Sequence, residues 1–311
     1  MDPQVEALLQ MMAAQAQATG APQMWELPAD AARANAEVGF AAFNQPMPVT
    51  VAIADRSIPG PAGQIPVKVF TPQGSGPFPI LVFLHGGGWV IGSPETHAKL
   101  CAEFAEGASV VVVSVHYRLA PEHPAPASLD DCVAAIRWAI EHAGELNADG
   151  SRFAVGGDSA GGNLTAAAML RLRDEGGPRA RLQLLLYGAF TANNDLPSVI
   201  ENGEGKILTR EAMKWFYNHY LSGGASPDDP YIAPIRGDLR GMPPARLIVG
   251  SLDPLLDDSK LFAKALEEAG VPAKLSIYQD QPHVFLQLSA FLDAGKRGVV
   301  EACDALRAAL K

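Results

Sequence analysis

The sequence predicts an α/β fold: a mostly parallel central sheet flanked by helices, with a helical cap over one edge. Three observations carry this. Short β-branched or apolar runs bounded by Gly and Pro recur along the chain. Longer Ala- and Leu-rich segments alternate with them. Two helix-like stretches, one at the start and one past the middle, interrupt that alternation.

The runs FPILVFL (78–84), SVVVVSV (109–115), RFAVGG (152–157), LQLLLYG (182–188), ARLIVG (245–250) and KLSIY (274–278) read as buried strands. Between them lie helical segments such as THAKLCAEFAE, LDDCVAAIRWAIEHAGEL, GNLTAAAMLRLRDE and DDSKLFAKALEEAG, and a last one closes the chain. Two earlier runs, PVTVAIADRSI and IPVKVFT, are joined only by the turn PGPAG, so they should open the sheet as an antiparallel pair. Residues 1–45 read as a helical N-terminal cap arm and 46–188 as the first part of the core. Residues 189–230 read as a cap insertion, with Thr209 as N-cap of TREAMKWFYNHYL, and 231–311 as the second part of the core.

Composition narrows the function. Hydrophobic residues make up 48% and charged residues 19% of 311 positions, a globular balance. The 24 basic and 34 acidic side chains give a formal charge of -10 with no basic run, which argues against nucleic acid as a partner. Cys101, Cys132 and Cys303 are far apart and odd in number, so they read as buried thiols in a reducing compartment. The N-terminus lacks a basic n-region, and no apolar run is long enough to span a bilayer. A cytoplasmic protein with no stable membrane association is expected.

The strongest chemical signal is Gly157-Asp158-Ser159-Ala160-Gly161-Gly162, set between a strand and a helix. That context fits a nucleophile elbow: a sharp turn lifts Ser159 off the sheet and needs small neighbours. GDSAGG also resembles the GDSGG of chymotrypsin-like proteases, but those require an all-β double barrel. A second signal, His85-Gly86-Gly87-Gly88-Trp89, follows the strand 78–84. Its glycine amides, with that of Ala160, suit an oxyanion hole. A phosphate cradle would need Gly-Lys-Ser/Thr to follow, and Trp-Val-Ile-Gly follows instead.

Ser159 needs a base, because a free hydroxyl is a weak nucleophile. His283 is the sole histidine after residue 219 and follows the last strand, and Asp253 follows the strand before it. All three candidates therefore fall just past strand carboxyl ends, where such sheets place their sites. Asp257 and Asp258 are rival acids, but they fall where the next helix begins. Trp89, Leu208, Met213, Phe216, Tyr217, Leu255 and Phe285 are candidates for an apolar substrate pocket; each serves equally well as packing between cap and core.

HGGGW, YRLAPEHPAPASLDD, GGDSAGGNL and DPLLDD together resemble the bacterial hormone-sensitive-lipase family of esterases, in its GDSAG branch, from about residue 45 to 305. The resemblance implies an α/β-hydrolase fold under a helical cap, no cofactor and no metal. It also implies hydrolysis of small-molecule esters with short to medium acyl chains, and homodimers formed through the last strand. It assigns the oxyanion hole to Gly87, Gly88 and Ala160. Alternatives on the same fold are an amidase or acyltransferase with the same triad, or a small-molecule receptor, although such receptors usually lack the catalytic histidine. Three positions depart from the family pattern: Val284 stands where Gly usually follows that histidine, His116 replaces a usual Asp, and Gly188 a frequent Pro. Val284 is expected to narrow the pocket or to move the His283 loop.

Overall fold

The computed structural model describes residues 1–48 and 50–311. Helix α1 (Pro3–Thr19) starts where the Asp2 side chain accepts the Gln4 amide, and it stops at Gly20 in the left-handed region. Helix α2 (Ala29–Ala41) follows the short 3-10 turn Met24–Glu26. Strands β1 (Ala52–Gly60) and β2 (Gly63–Thr71) then form the expected antiparallel pair. Next come β3 (Phe78–Leu84), α3 (Ala98–Ala108), β4 (Val111–Val115), α4 (Ala127–Glu141), β5 (Ala148–Asp158), α5 (Ala160–Asp174) and β6 (Gln183–Leu186). After β6 the chain forms α6 (Pro197–Asn202) and α7 (Arg210–Tyr220) before it returns as β7 (Ala245–Gly250), α8 (Leu256–Glu268), β8 (Ala273–Tyr278) and α9 (Asp293–Ala309).

The strand order is β1-β2-β4-β3-β5-β6-β7-β8, and every pair from β4 through β8 is parallel. Side chains alternate between the two faces of the sheet, as the pleat requires. Ile80, Val82, Val111, Val113 and Val155 face α4, α5 and α8, whereas Leu81, Phe83, Val112 and Ala154 face α3 and α9. Both faces are covered, which is why the strands read as continuous apolar runs rather than alternating ones. The three cysteines are buried and free, two of them deep in these layers.

Two strand ends fall short of the sequence reading. Ser109 and Tyr187 both take positive φ, so the first ends α3 before β4 begins and the second turns the chain out of β6. Helix α7 begins where Thr209 Oγ1 accepts the Ala212 amide, as its capping residue suggested.

The order of strands places the site. β3 pairs with β4 on one side and β5 on the other, so β3 and β5 lie side by side at the point where the winding reverses. Leu84 is in register with Gly157. The glycine loop after β3 thus adjoins the serine turn after β5, despite their separation in sequence.

The segment after β4 braces this edge. Tyr117 stacks on His85 at 4.2 Å between ring centres and donates its hydroxyl to the His85 carbonyl. Arg118 grips the buried Asp131 carboxylate of α4 through Nε and Nη2, at 2.8 and 2.9 Å, and the Arg118 amide adds a third bond. Arg118→Ala leaves that carboxylate buried with one amide for a partner. The expected loss is about 3 kcal/mol of folding free energy, measured as a lower urea midpoint at unchanged slope.

Candidate active site

Ser159 sits between β5 and α5 with φ 55° and ψ -119°, a strained conformation for a residue with a side chain. Its amide donates to the Leu186 carbonyl at 2.9 Å, which ties the turn to the neighbouring strand. The helix leaves so steeply that a Cβ on Gly161 would lie 1.8 Å from the Leu84 carbonyl oxygen. No side chain fits there.

His283 Nε2 lies 2.9 Å from Ser159 Oγ. Its Nδ1 lies 2.8 Å from Asp253 Oδ2, and the other oxygen of Asp253 accepts the Leu255 amide at 2.8 Å. Asp253 is fully buried and His283 nearly so, while Ser159 is half-buried. Tyr187 sets its ring edgewise to the imidazole at 5.0 Å. The imidazole is therefore held on three sides: by the carboxylate, by the aromatic ring and by the hydroxyl it faces.

The loop His85–Trp89 turns back on itself, with the Gly87 carbonyl accepting the amides of Val90 and Ile91. His85 is fully buried, and burial first, then the neighbouring His97, push its pKa well below the ordinary value. It is therefore neutral and donates from Nδ1 to the Gly86 carbonyl at 2.7 Å. Gly88, at φ +58°, lies directly under Phe216, where a Cβ would come within 2.1 Å of the ring. Among the described residues, no acceptor takes the amides of Gly87, Gly88 or Ala160. These amides belong to the walls of the space around Ser159.

Three carboxylates act elsewhere. Asp158 accepts the Gly86 amide at 2.9 Å, and His97 Nε2 lies 3.1 Å from the same oxygen. Asp158 therefore pins the glycine loop to the end of β5. Neither this link nor His97 was read from the sequence, since THAKLC reads there as the start of an ordinary helix. Asp258, one of the rival acids, accepts the amides of Phe190 and Thr191 and the Thr191 hydroxyl at 2.7–2.9 Å. Asp257 accepts the Ser198 amide at 2.9 Å, so α6 is clasped to the first turn of α8, just past Asp253.

Two cavities meet at Ser159. The larger, 320 Å³, is walled by residues 86–88, His283 and Val284 together with Leu27, Ala36, Phe40 and Ile207. The smaller, 30 Å³, is walled by Ala160, Trp89, Met213, Tyr217 and Leu255. Leu208, Phe216 and Gly88 border both. Trp89 stacks on Tyr220 of α7 at 4.3 Å and touches Tyr217. Six of the seven candidate pocket residues thus border a cavity. Phe285 borders neither: it is fully buried among Tyr187 and Tyr278 in the layer beneath the sheet. Adjacency to His283 suggested it, but residues next to each other in a turn face different ways.

The N-terminal wall went unread residue by residue. Arg33 of α2 anchors it, donating to the carbonyls of Val90 and Ala120 and pairing with Glu122. The Arg33 guanidinium beside Glu122 draws that carboxyl down to about 2. Val284 borders the larger cavity with φ +57°, left-handed backbone on a β-branched residue. Among the described residues, no group of three or more His, Cys, Asp or Glu is placed to hold a metal ion, and no helix is long and apolar enough to cross a membrane.

Residues 81–287 match the family described as the alpha/beta hydrolase fold. The chain belongs to the α/β-hydrolase family, in its hormone-sensitive-lipase-like part. This α/β hydrolase is 43% identical over 269 residues to the carboxylic ester hydrolase LipN of Mycobacterium tuberculosis, covering 84% of this chain and 72% of that protein. It is 33% identical to an ethyl acetate hydrolase of Pseudomonas putida, over 99% of this chain and 98% of that one. Among solved structures, a hyperthermophilic esterase of the archaeon Pyrobaculum calidifontis superimposes with a TM-score of 0.93 at 33% identity, covering 99% of this chain and 98% of that one. An ester hydrolase from the Lake Arreo metagenome, solved with a bipyridine phosphonate derivative, gives 0.94 at 34% identity over 98% of each chain.

Burial raises the Asp258 pKa from 3.8 to about 6, against the lowering effect of its three donors. The folded protein thus holds this proton more tightly than the unfolded chain. The stability it contributes is full below pH 3.8 and is lost as pH rises toward 6. Asp258→Asn keeps an accepting oxygen and removes the titration. From pH 4 to pH 7 the native protein should lose roughly 2 kcal/mol relative to this variant in parallel urea melts. A gap of opposite sign contradicts the assignment.

Proposed function

We propose that this α/β hydrolase is a carboxylic ester hydrolase that cleaves short- to medium-chain esters through an acyl-enzyme on Ser159. The observation that carries the reading is the relay from Ser159 Oγ through His283 to Asp253, at 2.9 and 2.8 Å, beside three amides free to donate. The ester-hydrolase names of its relatives support it.

The steps follow from the geometry. Ser159 Oγ attacks the ester carbonyl carbon as His283 Nε2 takes the hydroxyl proton. The carbonyl π pair moves onto oxygen, and the amides of Gly87, Gly88 and Ala160 hold that oxyanion. Each donor of this kind supplies about 3 kcal/mol of transition-state stabilisation. The carbonyl re-forms, the C–O bond to the alcohol breaks, and Nε2 returns the proton to the departing oxygen. A water then repeats the sequence on the acyl-enzyme: His283 takes its proton, and Ser159 leaves with the proton given back. Asp253 fixes the tautomer with hydrogen on Nδ1 and stabilises the imidazolium. The helix α5 amino end adds positive potential beside the oxyanion.

Three measurements test the reading. Ser159→Ala should reduce p-nitrophenyl acetate turnover to background. A p-nitrophenyl phosphonate should leave its phosphonyl group on Ser159 of the native chain, with release of p-nitrophenol, and leave the variant unmodified. Asp253→Asn should keep the fold but lower kcat on the order of 10³- to 10⁴-fold. A Ser159→Ala protein that still shows burst acylation would falsify the assignment.

A further inference from the structure

We infer that this enzyme is built for esters of very short acids with bulky apolar alcohols, the 30 Å³ cavity taking the acyl chain and the 320 Å³ cavity the alcohol. The inference rests on the Ser159–His283 relay proposed above and names the substrate class of that site.

The assignment of sides follows from where the proton must go. His283 returns the proton to the alcohol oxygen, so the alcohol must leave on the imidazole side of the tetrahedral carbon. With the oxyanion held by the amides, the acyl chain is left to the remaining side. The larger cavity has His283 and Val284 in its wall. The smaller shares Ser159 and Ala160 but has no part of His283 in its wall, and it lies under Trp89, Met213 and Tyr217. The acyl chain therefore enters the smaller one.

Size then sets the limits. The smaller cavity has about a tenth of the larger one's room and suits the side chain of an acetyl or propionyl unit. Its walls do not yield easily. Trp89 is wedged flat against Tyr220, and Leu255 is fixed by the bond from its amide to Asp253. The larger cavity is lined mainly by apolar side chains from four separate parts of the chain, among them Leu27, Ala36, Phe40 and Val284, and is large enough for an aromatic or branched alcohol. Each alcohol methylene buried there adds up to about fourfold in kcat/KM. Each acyl carbon past propionyl must displace packed walls and costs up to about tenfold.

Two substrate series on the intact enzyme test this. p-Nitrophenyl acetate, propionate, butyrate and hexanoate vary the acyl side. Methyl, butyl and 2-phenylethyl acetates, followed by acid release, vary the alcohol side. Expected are comparable kcat/KM values for acetate and propionate, a fall of at least tenfold by hexanoate, and a rise of at least tenfold from methyl to 2-phenylethyl acetate. Met213→Ala should raise the hexanoate-to-acetate ratio about tenfold, and Ala36→Trp should lower the 2-phenylethyl-to-methyl ratio by a similar factor. A flat or rising acyl series in the native enzyme overturns the inference. So does a crossed pattern, in which Ala36→Trp penalises hexanoate. Turnover of no ester, with Ser159 unlabelled by the phosphonate, removes the triad reading and this inference together; normal labelling with a flat acyl series removes this inference alone.

Discussion

Ser159 occupies a backbone conformation that is costly in free energy, and the surrounding structure is arranged to hold it there. Its φ of 55° is forced by a strand that ends and a helix that begins on either side of one residue. The turn closes because Gly161 lets α5 pass within touching distance of the end of β3. The strain, of order 1–3 kcal/mol, is offset by the burial of α5 between the sheet and its neighbouring helices. In return the hydroxyl stands clear of the sheet beside the free amides of a helix end. The reactive geometry is thus a consequence of packing and does not depend on any ligand to form it.

Four acidic side chains near this turn illustrate how position sets the role. Asp253, buried and bonded to His283 Nδ1, orients the imidazole. Asp158 is next to the nucleophile in sequence but faces the other way and fastens the glycine loop. Asp258 holds the chain that leaves β6, and Asp257 clasps α6 to the first turn of α8. A carboxylate accepting several amide bonds is rigid, and rigidity is what the oxyanion side requires, since a donor that must reorganise during the reaction loses most of its value. Of these four, it is Asp158 that fixes the glycine loop, through the Gly86 amide.

The sheet was legible because buried parallel strands are continuous apolar runs, and the candidate triad because each member directly follows such a run. Choosing Asp253 over Asp257 and Asp258 required only that the acid lie before the helix begins. The cavity walls were far less legible. Leu27, Ala36 and Phe40 come from the N-terminal arm, where small and apolar residues at helical spacing would read the same whether they faced a cavity or a core. His97 lies at the start of α3 and meets Asp158 only because β3 and β5 are neighbours. Phe285 shows the opposite failure: proximity in sequence to His283 did not survive the turn between them. Strand-end positions are fixed by the sheet, whereas wall positions are fixed by how separate helices dock, and no local pattern encodes docking.

Val284 brings these threads together. The residue after the imidazole must take φ near +57° for the ring to reach both Asp253 and Ser159, a demand that glycine meets at little cost and valine does not. Its presence therefore has to be compatible with something other than backbone ease. Its side chain helps wall the larger cavity beside His283. A change of residue at this position therefore alters the cavity wall and the backbone that carries the imidazole together.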